Sequence, residues 1–199
     1  MHINSTNNSI YGDQILRMQA VLNNIITEID LFRESAKAAG LDDPIEHCHG
    51  RIKSEESTRE KLKKKGLPET TESALNVLHD AIGIRIVCAF IDDVYKTRDY
   101  LVGLSDFEVI KEKDYIKEVK PNGYRSYHLI LRYRDMYYVE IQIRTISMDT
   151  WAALEHHLKY KKNITGNEQL IVNELKRLAD ELASTDLSMQ TIKNMIYEV

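Results

Sequence analysis

The sequence predicts an α/β protein of the α+β kind: a mixed or antiparallel β-sheet flanked by helices, with further helices at both ends. Three observations carry this expectation. Apolar residues step by three and four near the start, β-branched residues alternate with polar ones through the middle, and a heptad-spaced apolar run fills the end.

From Gln14 to Ala39, the residues Ile15, Met18, Leu22, Ile25, Ile29 and Phe32 trace the stripe of an amphipathic helix, which Gly40 is suited to end. After Asp42-Asp43-Pro44, a second helix is expected from about Ser54 to Lys65, closed by Gly66 and Pro68, and a third short helix leads to His79. Ile82, Ile84, Ile86, Cys88 and Phe90 then alternate on one face, and their β-branched richness favours a central strand over a helix. Asp92 to Leu104 reads as a helix, Phe107 to Ile110 as a short strand, and Lys113 to Arg125 as a polar loop around Pro121-Asn122-Gly123. Tyr127 to Tyr133 and Tyr137 to Thr145 are two more strands, joined as a hairpin through Arg134-Asp135-Met136. A helical pattern resumes from Trp151 to Tyr160. Beyond it Ile171, Leu175, Leu178, Leu182, Met189, Ile192 and Ile196 keep a four-three spacing with Thr185 as the polar exception.

Composition bounds the function. A chain of 199 residues with 43% hydrophobic residues suits one domain with a real core, and three prolines and eight glycines leave little room for disorder. The net charge of -4 argues against broad electrostatic binding to nucleic acid, so any phosphate site has to be local. No apolar run approaches the roughly 18 to 20 residues that cross a bilayer, and the polar start Met1 to Asn8 lacks a signal-peptide core, so a cytoplasmic location is expected. Cys48 and Cys88 are too few for a disulfide framework, and His47-Cys48-His49 lacks the ligand spacing of a structural zinc site.

Four constellations carry candidate chemistry. In Tyr137 to Arg144 the apolar positions take one face, so Glu140, Gln142 and Arg144 share the other. By itself such a row is a solvated sheet face. Asp80 precedes a strand whose opposite face carries Arg85, and a carboxylate there joins Glu140 in a pair suited to Mg2+ with nucleotide phosphates; the plainer reading makes Asp80 a cap or turn residue. His79-Asp80 also spells the dipeptide of metal-dependent phosphohydrolases, but their further ligands are not found. Arg51 and Lys53 point the same way if Gly50 to Lys53 is extended, and Ser57 and Lys61 recur on one helix face, a set able to cradle a triphosphate. Lys63, Lys64 and Lys65 read as a solvated basic face. Lys120-Pro-Asn-Gly-Tyr-Arg-Ser-Tyr-His128 offers Tyr124 as a stacking surface with polar neighbours to read base edges, or, more plainly, a turn feeding a strand.

Taken in order, Gly50-Arg-Ile-Lys53, His79-Asp-Ala-Ile-Gly-Ile-Arg85, the loop from Lys120 to His128, Val139-Glu-Ile-Gln-Ile-Arg-Thr145 and Trp151-Ala-Ala-Leu-Glu-His156 resemble the synthetase domain of the RelA/SpoT family. The length resembles its single-domain members. The match runs from about Pro44 to Lys162, leaving helical extensions at 1–43 and 163–199 of one compact domain.

The resemblance implies a nucleotidyltransferase-like mixed sheet and a GTP/GDP pyrophosphokinase that passes the β,γ-pyrophosphate of ATP to the 3′-hydroxyl of GTP or GDP, giving pppGpp or ppGpp and AMP. It implies an ATP site at Arg51, Lys53, Ser57, Lys61 and Arg85, and catalysis and Mg2+ binding by Asp80 and Glu140. Lys120, Asn122, Tyr124, His128, Gln142, Arg144 and His156 would contact the guanine nucleotide. Whether Glu140 is a general base or chiefly a metal ligand stays open. The chain has room for neither the hydrolase nor the regulatory domains of long members, so synthesis without degradation is expected. A homo-oligomer, a tetramer by resemblance, would form through the terminal helices, with regulation by alarmone or single-stranded RNA left open. The competing readings are a toxin-type pyrophosphokinase acting on RNA or adenine nucleotides, and a catalytically weak nucleotide or RNA sensor.

Overall fold

The computed structural model describes residues 9–160 and 168–197, so the polar start at 1–8 and the expected boundary at 162/163 lie outside the described residues. Helix α1 (Ile15–Ala38) follows a 3₁₀ turn and buries Met18, Val21, Leu22, Ile25 and Ile29. Strand β1 (His47–Ile52) leads into α2 (Glu55–Lys64), whose Ser54 cap accepts the Ser57 amide. Where a short third helix was expected, Ser73–Val77 forms a π-helical turn. Then come β2 (Ile82–Cys88), α3 (Ile91–Gly103), β3 (Phe107–Asp114), β4 (Tyr127–Tyr133), β5 (Tyr137–Thr145), α4 (Ile146–Tyr160) and α5 (Glu168–Tyr197).

One mixed sheet runs β1-β2-β5-β4-β3. β2 and β5 pair in parallel and every other neighbour is antiparallel. The β4–β5 hairpin closes through Arg134 and Asp135, both at positive φ. β3 is longer than its apolar residues suggest, because Lys111, Glu112, Lys113 and Asp114 continue the ladder on β4 past an irregularity at Val109. β3 is an edge strand, where charged side chains stay solvated and discourage pairing with other chains. α4 likewise begins at Ile146, a turn and a half before its aromatic signal at Trp151.

The period of two gives the sheet two different faces. Ile82, Ile84, Ile86, Leu129, Leu131, Val139, Ile141 and Ile143 line one, are all buried, and pack beneath α1 and α3 in the main core. α1 comes close: a Cβ added at Gly50 would lie 2.6 Å from Leu22 Cδ1, so any larger residue would have to push the Leu22 and Ile26 side chains aside. The cross-strand partners Gly83 and Glu140, Arg85 and Gln142, and His128 and Gln142 all fall on the other face.

The heptad run of α5 packs back onto the domain only in part, with Ile171, Leu175 and Leu182 half-buried. Leu178, Met189, Ile192 and Ile196 are exposed, while the helix docks through Ala179 and Asp186 on a neighbouring face. Cys48 and Cys88 are free, and burial pushes the Cys88 thiol up to about 12. Among the described residues no helix is long and apolar enough to cross a membrane.

Candidate active site

The polar face of the sheet is concave between β1 and β5. There His49, Arg51, Lys53, Asp80, Gly83, Arg85, Glu140 and Gln142 line a cavity of about 280 Å³. Alternation puts Arg51 and Lys53 on the same side of the chain, as the extended reading of this segment requires. Lys61 reaches in from the last turn of α2, so Lys53 Nζ and Lys61 Nζ meet one carboxylate oxygen, Asp80 Oδ2, at 2.7 and 2.6 Å.

Asp80 is turned into the cavity by an unusual residue before it. His79 has φ +59°, stacks on Tyr138 at 3.8 Å and bonds the Asn76 carbonyl through Nε2. Histidine tolerates this region better than bulky or branched residues, and such conformations cluster at functional sites. Asp80 Oδ1 is buried and has no hydrogen-bond partner. Burial acts to raise the Asp80 pKa, but the bonds from Lys53 and Lys61 outweigh it and hold the carboxyl below its ordinary value.

Glu140 faces the same cavity. Burial again acts to raise its pKa, and His128, whose Nδ1 lies 3.8 Å from Glu140 Oε1, tips the balance below the ordinary value. The row along β5 is a linked chain of side chains. Arg144 Nη2 donates to Gln142 Oε1 at 2.7 Å, and Gln142 Nε2 donates to Glu140 Oε2 at 3.3 Å. Arg144 is only 4% exposed, and its buried charge is matched by Asp149 at 3.0 Å, which also lies 3.5 Å from Arg85.

The chain of contacts continues to the loop between β3 and β4. Tyr124 Oη receives Arg144 Nη2 at 2.8 Å and lies 2.8 Å from His128 Nε2. Lys120 Nζ sits 4.7 Å from the Tyr124 ring centre and 4.3 Å from that of Tyr115. Asn122 shapes the turn, accepting the Tyr124 amide through Oδ1 and donating to Glu155 on α4. Ser57 stays in the α2 cap, where its hydroxyl meets that of Ser54, and His156 is exposed on α4; neither lines the cavity.

The face therefore has a cationic end with two ionised carboxylates and an aromatic end, joined by Arg144, Gln142 and His128. His49, Gly83 and Asp149 belong to it without having been singled out as site residues, although Gly83 lies inside the segment His79 to Arg85. The places of His49 and Gly83 in the cavity follow from the pairing of β1 with β2, and Asp149 lies before the helical pattern that the sequence shows from Trp151, in a first turn that only the structure reveals. The donor set suits a hard divalent cation bound by one or two carboxylates together with substrate phosphates, and the unpartnered Asp80 oxygen is consistent with it. No cluster of three acidic, histidine or cysteine ligands occurs among the described residues, so a cage made of protein alone is not what this site offers.

Residues 50–165 match the family described as the region found in RelA / SpoT proteins. The chain is 39% identical over 193 residues to the GTP pyrophosphokinase YwaC of Bacillus subtilis, covering 94% of this chain and 91% of that one. It is 36% identical over 163 residues to the GTP pyrophosphokinase YjbM of the same organism, covering 78% and 75%. Its fold matches that of small alarmone synthetase 1 of Bacillus subtilis bound to its product pppGpp with a TM-score of 0.81 and 31% identity, over 90% of this chain and 94% of that one.

Proposed function

The chain belongs to the RelA/SpoT family, and from that premise we propose how its concave face performs the family's reaction. The protein is a GTP pyrophosphokinase: it transfers the β,γ-pyrophosphate of ATP to the 3′-hydroxyl of GTP or GDP, forming pppGpp or ppGpp and releasing AMP. The 3′-oxygen forms a bond to the β-phosphorus, the bond from that phosphorus to the α-phosphate oxygen breaks, and the hydroxyl proton is lost.

In this reading the cationic end takes ATP. Arg51, Lys53, Lys61 and Arg85 supply charge to its phosphates, the arginines as planar forks and the lysines as mobile point charges. Asp80 and Glu140 would hold Mg2+, which would supply positive charge to offset that of the phosphates. The observation that carries this assignment is the buried Asp80 oxygen without a partner, beside two lysines and facing Glu140 across one cavity. Glu140, ionised and lining that cavity, is suited either to hold the cation or to take the 3′-hydroxyl proton.

The aromatic end takes the guanine nucleotide. Tyr124 stacks on the base, Lys120 leaves the ring faces for the phosphates, and Asn122, His128, Gln142 and Arg144 hold the polar edges. A tetramer built partly on the exposed seam of α5 is proposed with it, since Leu178, Met189, Ile192 and Ile196 find no cover within the described residues.

Chromatography of labelled ATP with GTP, GDP, GMP or transfer RNA, with and without Mg2+, tests the reaction. AMP and a guanosine 3′-pyrophosphate are expected, and only with the metal. Transfer to RNA alongside failure with every guanine nucleotide would make this a toxin-type enzyme instead.

A further inference from the structure

α5 touches the turn that presents Tyr124, and it does so through backbone and charge, not through its apolar seam. The Arg125 side chain, 15% exposed, binds three acceptors at once. Its Nη1 donates to the Gly123 carbonyl at 3.1 Å and to the Ala179 carbonyl of α5 at 3.2 Å, and its Nη2 donates to Asp180 Oδ1 at 2.8 Å. The guanidinium thus ties the loop's own backbone to a carbonyl in the middle of a helix.

Two further contacts fall on the same stretch of helix. Gly123, at φ +90°, lies so near α5 that an added Cβ would come within 2.6 Å of Ala179 Cβ and 3.2 Å of Lys176 Cα. Trp151, whose ring lies 6.4 Å from that of Tyr124, donates Nε1 to the Leu175 carbonyl at 2.8 Å. Leu175 and Ala179 are four residues apart and so lie on one face of α5. That single face fixes both the turn before Tyr124 and the indole beside it.

We infer that Arg125 is a positioning residue of the acceptor site, clamping the loop at 120–125 to α5 without itself contacting nucleotide. The inference rests on the assignment of Tyr124 to the guanine base. A rigid fork is the right device: it loses little freedom per bond and reaches acceptors on two segments. Holding the loop before the nucleotide arrives removes an ordering cost from binding. A lysine would keep the charge and lose the fork.

The test uses the full-length enzyme, separate KM values for GDP and ATP, and Trp151, the single tryptophan of the chain, as an emission reporter. Losing a charged hydrogen bond of this kind corresponds to about 10-fold or more in affinity, so Arg125→Ala should raise the KM for GDP by about that factor and leave that for ATP within about twofold. Arg125→Lys should recover part of the loss. Asp180→Ala, at a half-exposed position, removes one of the two bonds to α5 and leaves that to the Ala179 carbonyl, so it should reproduce part of the rise together with a red shift of Trp151 emission smaller than that of Arg125→Ala. An Arg125→Ala enzyme impaired in its KM for GDP but with unchanged Trp151 emission, beside an Asp180→Ala enzyme with normal KM and normal emission, would mean that the loop stays docked on α5 without the guanidinium and that Arg125 meets the substrate directly, and would overturn the clamp. Equal losses for both nucleotides would reduce Arg125 to a general structural role and overturn it too. The assignment beneath it fails separately, by a Tyr124→Ala enzyme whose KM for GDP is unchanged.

Discussion

The two ends of the concave face are held together by different means. At the Asp80 end, charge does the work: two lysines converge on one carboxylate oxygen, and the groups involved come from β1, α2 and the lead into β2, close together in sequence. At the Tyr124 end an aromatic ring is held by Arg144 from β5 and by a loop whose turn leans on α5, more than fifty residues away. The lysine–aspartate part of the first is set by neighbouring segments, and the sheet itself brings in Glu140 through the pairing of β5 with β2. A site of the second kind depends on a distant helix being docked, so damage far from the chemistry can reach it.

The largest effects should come from the charged end. Asp80→Asn and Glu140→Gln keep shape and remove charge, and the several kcal/mol that a bound metal contributes imply a loss of turnover of about a hundredfold or more in each. Circular dichroism should show both folded. A folded variant with near-normal turnover would take that carboxylate out of the mechanism.

A smaller and more selective effect is expected at the aromatic end. Tyr124→Ala removes a stacking contact of about 1 to 3 kcal/mol and should weaken guanine-nucleotide use without a matching change for ATP. Tyr124→Phe keeps the ring but loses the hydroxyl that meets Arg144 and His128, a change of about 1 kcal/mol. Titrations with each nucleotide alone separate the two.

Acid titration sharpens the contrast through two aspartates of opposite tendency. Asp80 is held below the ordinary 3.8, so its stabilisation is present above that value and is lost as pH falls through its lower native pKa. Asp186, where α5 docks, is the reverse. Burial raises its pKa despite hydrogen bonds from Thr145 and Ser147, so its contribution is full below 3.8 and declines as pH rises through the raised native value. Asp186→Asn should therefore gain stability relative to the parent as pH rises across that window, by up to about 1 kcal/mol at neutral pH, measured by urea midpoints. A constant difference at every pH would contradict this assignment.

The smallest effect on the monomer should come from the seam of α5. Met189 is 47% and Ile192 49% exposed, so Met189→Glu, with Ile192→Glu beside it, should disperse the assembly in light scattering while each folded chain keeps its guanine affinity within about twofold. A wild-type protein that is monomeric at micromolar concentration would remove the assembly proposal.

Much of this architecture was readable from the chain. The alternation through Ile82, Ile84 and Ile86 and through Tyr137, Val139 and Ile141 gives the boundaries of β4 and β5, the start of β2 and the polar row of β5, because a sheet with one buried face imprints a period of two. The run from Lys111 to Asp114 was not legible as a strand, since an edge strand needs no apolar signal. Asp80 and Glu140 were legible as a pair, but not the bonds of both lysines to one oxygen, which depend on how α2 is placed relative to the residue before β2. Asp149 and Arg125 were hidden for the same reason. Each finds its partners through helix placement, Asp149 on α4 against Arg85 and Arg144, Arg125 against α5, and no local pattern records such a meeting.

The central claim is that one face carries two nucleotide sites of different construction, and it is tested most directly by calorimetric titration of a non-hydrolysable ATP analogue and of GDP, each alone with Mg2+, into the parent, Lys61→Met and Tyr124→Ala enzymes. The account predicts a crossed result, with Lys61→Met weakening mainly the ATP analogue and Tyr124→Ala mainly GDP. If Tyr124→Ala weakened the ATP analogue most, or if both variants weakened both ligands alike, the division of the face proposed here would be contradicted.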